Sequence, residues 1–278
     1  MTYARLKLII LVGAILINLP AAAQVLKTGV DATFAPHAMV KLGGGLQGFN
    51  IDLGYELARR LGKKIEIEGT EFSGLIPGMN AGKYDFVLAP VTATPERAKA
   101  MLFTEGYLNT DFTFVEKNST VGIESLEDLF GKTIAVNKGS AYEAWSRKNA
   151  NKYGFEFDVY GSNADAVLAV QAGRADAGLA GNGISGWIAK QNPEIKTTFT
   201  ISTGLVWSLA FRTDDKAGRD AISMVVKCMK KDKFIANLVE KWFGFKPGPK
   251  SAAVSIAPGH GIPGMNGYDA TLVVPKCS

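Results

Sequence analysis

Short apolar runs rich in β-branched residues alternate along this chain with stretches whose apolar positions recur at helical spacing. That alternation of strand and helix patterns is typical of an α/β fold. The pattern predicts strands at residues 25–30, 64–69, 85–90, 133–137, 157–160, 175–180 and 207–212. It predicts helices at residues 48–61, 75–81, 164–172, 220–230 and 233–242, and a helical turn at 126–130.

Capping signals mark where several helices begin and end. Ser140 and Glu143 have the spacing of a capping box, so a further helix is expected to start there. Thr94 can cap a helix whose first residue is Pro95, because proline is favoured at that position. Gly62 follows the first predicted helix and is expected to end it.

The first 23 residues are predicted to be a secretory signal peptide. Arg5 and Lys7 form a basic start, an apolar stretch follows at 8–19, and an Ala-x-Ala end precedes Gln24. The apolar stretch is about a dozen residues long, whereas a helix that spans a bilayer needs roughly twenty. No cysteine follows the expected cleavage site, so no lipid anchor is expected. The mature chain is therefore expected to be a soluble exported protein that begins near Gln24.

The mature chain, about 255 residues long, can form one large domain or two smaller ones, each with its own core. Hydrophobic residues make up 47% of the sequence and charged residues 21%, which are ordinary values for a globular protein. The formal net charge of +5 falls to +3 without Arg5 and Lys7. One short basic cluster, residues 227–233, is interpreted as a solvated helix face, and nucleic-acid binding is not expected.

Cysteine and histidine are scarce, which limits the covalent and metal chemistry available. Cys228 and Cys277 either pair, as an oxidising compartment permits, or remain free thiols. The two histidines, His37 and His260, belong to no Cys/His cluster at ligand spacing. We therefore expect neither a metal site nor a cofactor.

Common catalytic motifs are missing from the sequence: it has no nucleophile elbow, zinc-protease pair or phosphate-binding loop. A G-x-G-x-x-G spacing occurs at residues 43–48, 181–186 and 259–264. The middle copy lacks the acidic residue that dinucleotide binding requires about twenty positions further on. We interpret all three copies as loop glycines. From 248 to 278, glycine and proline interrupt any regular pattern, so an irregular surface tail is predicted there.

The most specific local signal is the segment 89–97, which reads APVTATPER. It lies at the end of a predicted strand, where open α/β sheets bind their ligands. Four further segments accompany it along the chain: 29–36, 48–53, 82–85 and 103–107, which read GVDATFAP, GFNIDL, GKYD and FTEGY.

With these segments in this order, residues 25–245 resemble the periplasmic solute-binding proteins of family 3, which capture amino acids and related polar solutes for ABC importers. The resemblance implies two α/β lobes around a ligand cleft that closes by hinge motion. It implies a second lobe, residues 111–205, that is inserted in the first lobe, residues 24–110 and 206–247. The chain is expected to cross between the lobes near residues 109–112 and 203–207.

The resemblance also implies ligand contacts in the first lobe. Arg97 matches the arginine of the family's T-x-x-R segment, whose planar fork clamps the ligand carboxylate. Thr92 resembles the family's ligand-binding hydroxyl, and Ala89 and Pro90 line the same loop. The structural alternatives are an arginine on an exposed helix face and a threonine that bonds its own backbone.

Further contacts are implied around the cleft. Ser140 and Ala141 open a helix whose N–H groups and dipole favour an anion, although Ser140 could also serve as a plain cap. Phe34 and Phe72 resemble aromatic residues that pack on the ligand, and either could instead belong to the core. Tyr142 matches a frequent ligand contact, with an exposed helix residue as the alternative.

Two positions depart from the family pattern. Members that bind α-amino acids usually carry an aspartate for the ligand ammonium, and the equivalent position here is Gly181, followed by Asn182. Asn182 could accept a hydrogen bond from an ammonium but supplies no countercharge. Pro90 stands where a free N–H is common, which removes one donor. The expected ligand is an amino acid, or else a carboxylate or derivative without a free α-ammonium, and Asp31 is an alternative source of negative charge.

The implied function is that of a monomeric periplasmic binding protein that delivers a small carboxylate to the membrane permease of an ABC importer. Two alternatives stay open. One is a periplasmic dehydratase-like enzyme on the same fold, with Asp31 or Glu71 as the general acid. The other is an accessory or sensor protein whose lobes and tail contact another exported protein.

Overall fold

The computed structural model describes residues 24–272 and 274–277. The predicted signal peptide lies outside the described residues. Within them, no helix is long and apolar enough to cross a membrane.

The regular elements of the described residues are numbered in chain order. The strands are β1 (Val25–Asp31), β2 (Met39–Val40), β3 (Leu46–Gln47), β4 (Lys64–Thr70), β5 (Phe86–Thr92), β6 (Leu102–Phe103), β7 (Leu108–Lys117), β8 (Thr133–Asn137), β9 (Glu156–Tyr160), β10 (Ala177–Gly181) and β11 (Ile195–Phe211). The helices are α1 (Phe49–Arg60), α2 (Phe72–Asn80), α3 (Ala141–Tyr153), α4 (Asn163–Gln171), α5 (Asn182–Gln191), α6 (Lys216–Lys231) and α7 (Phe234–Phe243). Single 3₁₀ turns occur at Arg97–Lys99 and Glu127–Leu129.

One mixed sheet runs through both lobes in the order β4-β1-β5-β11-β7-β10-β8-β9, with β6 beside β11. The first lobe holds β1, β4, β5 and β6 with α1, α2, α6 and α7. The second lobe, inserted in the first, holds β8, β9 and β10 with α3, α4 and α5. The antiparallel strands β7 and β11 pass from one lobe to the other.

The ladder between β7 and β11 is irregular where the chain is expected to cross between the lobes. Its register shifts between the pairs Ile201–Phe112 and Leu205–Thr110. Both strands nevertheless continue across this point, so the lobe boundaries at 110/111 and 205/206 stay predictions.

Most predicted elements form, but the helix expected from Pro95 does not. Thr94 does act as a cap, because its Oγ1 accepts a hydrogen bond from the Arg97 N–H at 3.2 Å. The turn then ends at Lys99, since β6 begins three residues later at Leu102. The short distance to the next strand therefore limits this segment to one 3₁₀ turn.

The interpretation of all G-x-G-x-x-G glycines as loop residues is wrong for Gly183 and Gly186. Both lie in α5, which follows β10 directly. Glycine disfavours helix by about 1 kcal/mol relative to alanine, so three glycines in six residues hide this helix from the pattern. Packing of α5 on β7 and β11 overrides that low propensity.

The basic cluster is also not a solvated face throughout, and this prediction is wrong for two of its lysines. Lys227 and Lys230 are buried, and both ammonium groups contact the carboxylate of the equally buried Glu105. Lys231 and Lys233 are exposed, as expected. Residues 227 and 230 are three positions apart, so they lie on the same face of α6, and this face packs against the first lobe rather than facing water.

These buried charges also hold the tail against the first lobe. Lys227 donates to the Ala257 carbonyl at 2.5 Å, and Lys230 donates to the Ser255 carbonyl at 3.0 Å. In return, the Ala257 N–H donates to Glu105 at 3.2 Å. The tail is therefore part of the first lobe's buried polar network.

Further bonds secure the tail beyond residue 257. Arg219, which is buried, donates to the Gly267 carbonyl at 2.9 Å, and Asp269 pairs with Lys216 at 2.9 Å. Of the two alternatives for the cysteines, the structure has the disulfide between Cys228 and Cys277, with Cα atoms 5.4 Å apart. The end of the tail is thus joined covalently to α6.

A buried histidine lies where the first lobe meets the crossing strands. His37 is fully buried, and its Nδ1 lies 2.8 Å from Asn50 Oδ1. Its ring stands edge-on to Trp207 at 4.7 Å and to Phe243 at 5.2 Å. Its Nε2 has no hydrogen-bond partner among the described residues. Burial lowers the pKa of His37 to about 4, so the ring is neutral at physiological pH.

Glu105→Ala is expected to destabilise the protein by about 3–5 kcal/mol, because it leaves two buried ammonium groups without their countercharge. Urea denaturation of the mature protein measures this change. The matched control is Glu68→Ala, which breaks an exposed pair with Lys83 and is expected to change stability little. Equal effects of the two substitutions would contradict a stabilising role for the buried pair.

His37 is expected to make stability depend on acid pH. Its pKa is lower in the folded than in the unfolded chain, so protonation favours unfolding and stability rises with pH between about 4 and 6.5. The contribution across that window is about 3 kcal/mol. The substitution His37→Gln keeps a hydrogen-bond donor for Asn50 but removes the group that titrates. On acidification, the free energy of unfolding of this variant should therefore fall by about 3 kcal/mol less than that of the native protein. Denaturation curves at several pH values test this, and parallel pH profiles would contradict it.

Candidate functional site

A small, nearly filled cavity lies between the two lobes, where β5 and β8 end and α3 begins. Its walls come from the segments that the sequence singled out and from one further residue at the end of β8. The lining residues are Phe34, Phe72, Pro90, Thr92, Arg97, Asn137, Ser140, Ala141 and Tyr142.

Arg97 reaches across this cavity and holds both lobes. Its Nη1 donates to the Thr92 carbonyl at 2.9 Å in the first lobe, and its Nη2 donates to the Gly139 carbonyl at 2.8 Å in the second. The guanidinium also lies 5.6 Å from the centre of the Phe72 ring. Among the described residues, no carboxylate pairs with it.

The positive charge on Arg97 is therefore uncompensated. Burial lowers the pKa of Arg97 to about 10, which still leaves the guanidinium protonated at neutral pH. A partly buried cation without a counterion favours an anion beside it. The arrangement differs from an arginine on an exposed helix face, the structural alternative for this residue.

The start of α3 adds hydrogen-bond donors to the same cavity. Ser140 caps the helix, because its Oγ accepts from the Glu143 N–H at 3.1 Å. Glu143 in turn accepts from the Gly139 N–H at 2.7 Å, one residue before the expected position of a capping box. The N–H groups of Ala141 and Tyr142 make no hydrogen bond within the described chain. These two free donors and the helix dipole favour an anion at this end of the cavity.

Three aromatic side chains close the cavity, and all three are buried. Phe34 and Phe72 line it from the first lobe, and Tyr142 lines it from the second. Burial raises the pKa of Tyr142, whose hydroxyl also interacts with Thr110 and Trp207. The alternative interpretation of Tyr142 as an exposed helix residue is therefore wrong.

Three predicted contacts do not line the cavity, namely Ala89, Asn182 and Asp31. Ala89 is buried inside the sheet, because alternate residues of β5 point to opposite faces and Pro90 and Thr92 occupy the cavity side. Asn182 is exposed at the start of α5, where its Oδ1 accepts from the N–H groups of Asp111 at 3.3 Å and Gly183 at 3.0 Å. The side-chain oxygen of Asn182 is thus bonded to backbone N–H groups at the start of α5, outside the cavity.

Asp31 lies just behind the cavity wall, at the end of β1. Its Oδ1 accepts from the Thr33 N–H at 3.0 Å and from the Thr33 hydroxyl at 2.7 Å. Burial raises the pKa of Asp31, while hydrogen bonds from Thr33, Asn137 and Phe72 act in the opposite direction. Glu71, the other candidate general acid, is exposed and does not line the cavity.

Sequence reasoning missed Asn137 and Trp207. Asn137 could have been found as the polar last residue of a buried strand, a position where α/β sheets place ligand contacts. Trp207 is buried, and its Nε1–H donates to Thr92 Oγ1 at 3.2 Å. No local motif marks Trp207, because its role depends on pairing between distant strands.

Trp207 also occupies the space beside Gly181, the position where an aspartate was expected from the family pattern. A Cβ atom built on Gly181 would lie 2.4 Å from Trp207 Cζ2 and 2.9 Å from the Tyr142 hydroxyl. An acidic side chain therefore cannot fit there unless the indole moves.

Comparison with known proteins identifies the family. The model of the bacterial extracellular solute-binding proteins, family 3, matches residues 26–245. The chain is 30% identical over 219 residues to the arginine-binding extracellular protein ArtP of Bacillus subtilis, covering 77% of this chain and 84% of that protein. It is 26% identical to the L-cystine-binding protein TcyJ of Escherichia coli, covering 82% and 86%.

Solved structures agree with this assignment. An ancestral arginine-binding protein bound to arginine aligns with a TM-score of 0.76 at 33% identity, covering 81% of this chain and all of that one. An ancestral amino acid-binding protein described as a precursor of cyclohexadienyl dehydratase aligns with a TM-score of 0.73 at 32% identity, covering 79% and 95%. The chain belongs to the bacterial extracellular solute-binding proteins of family 3, and its fold is the two-lobed type II fold of periplasmic binding proteins.

Gly181→Ala is expected to destabilise the protein by about 1–3 kcal/mol, because the new methyl group overlaps the Trp207 ring. The control is Gly186→Ala in α5, where the new methyl group has no atom within 4 Å. This substitution should stabilise the protein by about 0.5–1 kcal/mol, because alanine favours helix over glycine. Urea denaturation followed by tryptophan fluorescence measures both. If Gly181→Ala were as well tolerated as Gly186→Ala, the indole would not fill this space.

Proposed function

We propose that the mature protein is an extracytoplasmic solute-binding protein that delivers a small carboxylate, an amino acid or a related compound, to the permease of an ABC importer. The observation that carries this proposal is the unpaired guanidinium of Arg97, which faces the free N–H groups of Ala141 and Tyr142 across a cavity between two lobes. These groups offer one charged fork and two neutral donors to one small anion.

In the proposed transport function, closure of the two lobes encloses the bound anion. Arg97 already bonds backbone carbonyls of both lobes, so a carboxylate bound to it would be enclosed by the first lobe and by α3 of the second. Ligand-dependent hinge closure is the usual response of such two-lobed proteins. The named relatives bind arginine and cystine, which supports amino acids as the first compounds to test.

The ligand does not need an α-ammonium group in the usual place. Gly181 supplies no countercharge, and Trp207 fills the space beside it. Pro90, which lines the cavity, has no N–H to offer. We infer that recognition depends first on the carboxylate and that compounds with and without an α-ammonium are both candidates.

We propose binding rather than catalysis, since the relatives ArtP and TcyJ are binding proteins by name. Export by the signal peptide would bring the mature protein to the periplasm, where it would act as a monomer with its permease. The family's extracytoplasmic character supports this location.

Arg97→Ala is expected to weaken carboxylate binding roughly a hundredfold or more, because it removes the only charge that faces the ligand carboxylate among the residues lining the cavity. A thermal-shift screen of the mature protein against amino acids, amines, monocarboxylates and dicarboxylates identifies ligands. A ligand that binds only the folded state raises the melting temperature. Isothermal titration then compares affinities for each hit.

The control variant is Arg174→Ala, which removes an exposed arginine that does not line the cavity and should leave binding unchanged. Hits that survive in Arg97→Ala would show that the cavity is not a carboxylate site. A screen without hits, with both variants folded, would contradict the proposed function.

A further inference from the structure

A second cavity, with a volume of about 260 Å³, lies between α5, α7 and the start of the tail. It has no lining residue in common with the cavity around Arg97. We propose that this second cavity binds a small neutral aromatic molecule that carries one hydroxyl group, such as a simple phenol. The inference goes beyond the proposed function, because it concerns a different ligand and a different site.

The start of the tail completes the second cavity. Helix α5 contributes Gly183 and α7 contributes Phe243, while four residues between 247 and 253 form another wall. The Ala252 N–H donates to Asn109 Oδ1 at 2.8 Å, which holds this part of the tail against β7. The family match ends at residue 245. The cavity therefore depends on a segment that the family match does not include.

Aromatic rings form a large part of the wall of the second cavity. Trp207, which is buried, lines it together with Phe243 and Phe245, whose ring centres are 6.3 Å apart. Phe245 is 54% exposed, so its ring is available to a ligand. Aromatic rings favour aromatic partners in offset or edge-on contact. Because a cavity of roughly 150 Å³ already holds benzene, the second cavity is large enough for a substituted ring.

The second cavity offers no charge to a ligand. None of the described residues that line it is acidic or basic. A charged ligand would lose hydration there without gaining a counterion, which is unfavourable. The second cavity therefore favours a neutral molecule, whereas the cavity around Arg97 favours an anion.

One polar atom at the second cavity lacks a partner. Ser251 lines the cavity, and its buried Oγ makes no hydrogen bond among the described residues. Buried polar atoms are normally bonded, so a ligand group is expected to pair with it. The amide oxygens of Asn109 and Asn182 already accept backbone N–H groups, which leaves their NH₂ groups as donors at the same cavity. A ligand hydroxyl can both donate and accept, so it suits this set of polar groups.

Trp207 separates the two cavities and can report on the second one. Its Nε1–H donates to Thr92 Oγ1 at the wall of the first cavity, and the same side chain lines the second. A ligand packed on this indole changes the magnetic surroundings of its N–H. The NMR resonance of that N–H can be identified because it disappears in Trp207→Phe.

Three probes of similar size test the inference: p-cresol carries a hydroxyl, toluene carries no polar group, and benzoate carries a carboxylate. In ¹H–¹⁵N NMR titrations of the mature protein at neutral pH, p-cresol should shift the Trp207 indole resonance in a saturable manner. Toluene, which lacks the hydrogen bond, should bind about fivefold more weakly.

Arg97→Ala separates the second cavity from the proposed carboxylate site. This variant should bind p-cresol as tightly as the native protein does, because Arg97 does not line the second cavity. Benzoate is compared in this variant, where it cannot use Arg97, and should bind about tenfold more weakly than p-cresol or worse. Loss of carboxylate binding together with unchanged p-cresol binding is the expected result.

Two substitutions locate the bound probe. Ser251→Ala should weaken p-cresol binding about fivefold and leave toluene binding unchanged, because it removes only the hydrogen bond. Phe245→Ala should weaken both probes, and the fold should persist because this ring is half exposed. The matched control is Phe130→Ala, which removes an exposed ring that does not line the cavity and should change neither affinity.

Four results would overturn the inference. The first is no saturable shift of the Trp207 resonance by p-cresol up to its solubility limit. The second is p-cresol binding that Arg97→Ala abolishes, since the probe would then occupy the first cavity. The third is p-cresol binding that both Ser251→Ala and Phe245→Ala leave unchanged. The fourth is binding of toluene, or of benzoate to Arg97→Ala, as tight as that of p-cresol.

Discussion

The organisation of this protein depends on one cation that has no paired carboxylate in the part of the chain that the structure describes. Arg97 is anchored by two backbone carbonyls, one in each lobe, and neither carries a formal charge. Carbonyl oxygens satisfy the N–H groups of a guanidinium but only partly offset its charge in a desolvated cavity. The cleft therefore favours an anion, and the planar geometry of a guanidinium matches the small carboxylate that we propose as the ligand.

The buried charges that stabilise the fold differ from Arg97, because they are paired with each other. Glu105 is buried with Lys227 and Lys230, so that each lysine has a counterion and a backbone acceptor. Each charged group of that cluster therefore has its own partner and offers no free charge to a solute. Its backbone partners include carbonyls of the tail, a segment that lies beyond the family match ending at residue 245. The same fold thus uses paired charge to hold the tail, whereas the charge on Arg97 has no paired carboxylate among the described residues.

Much of this fold and part of the site could be predicted from the sequence, for identifiable reasons. Periodicity locates β5 and α3, because a fully buried strand and a capped helix each have a local signature. The positions of Arg97 and Thr92 at the cavity agree with the local motif at the end of β5 and with the family resemblance that it carries. Trp207 could not be found in this way, since its contact with Thr92 joins residues 115 positions apart.

Burial of charge was equally hard to predict. Lysines at the end of an amphipathic helix are usually solvated, and only the tertiary position of Glu105 explains why Lys227 and Lys230 are not. Helix α5 was hidden by its glycines, whose poor propensity is outweighed by packing against the crossing strands. In each case the missing information was long-range, which a pattern of neighbouring residues does not contain.

Trp207 connects the cavity to the region where β7 and β11 pass between the lobes. Its indole donates to Thr92 at the cavity wall and packs edge-on against His37, which bonds Asn50. Asn50 in turn donates to the Tyr107 hydroxyl at 2.9 Å, one residue before β7 crosses toward the second lobe. A ligand that changes the position of Thr92 must therefore act on a packed, hydrogen-bonded core at the base of the crossing strands. Because packed cores move between discrete arrangements more readily than they deform, this connection suits a protein that must be either open or closed around its solute.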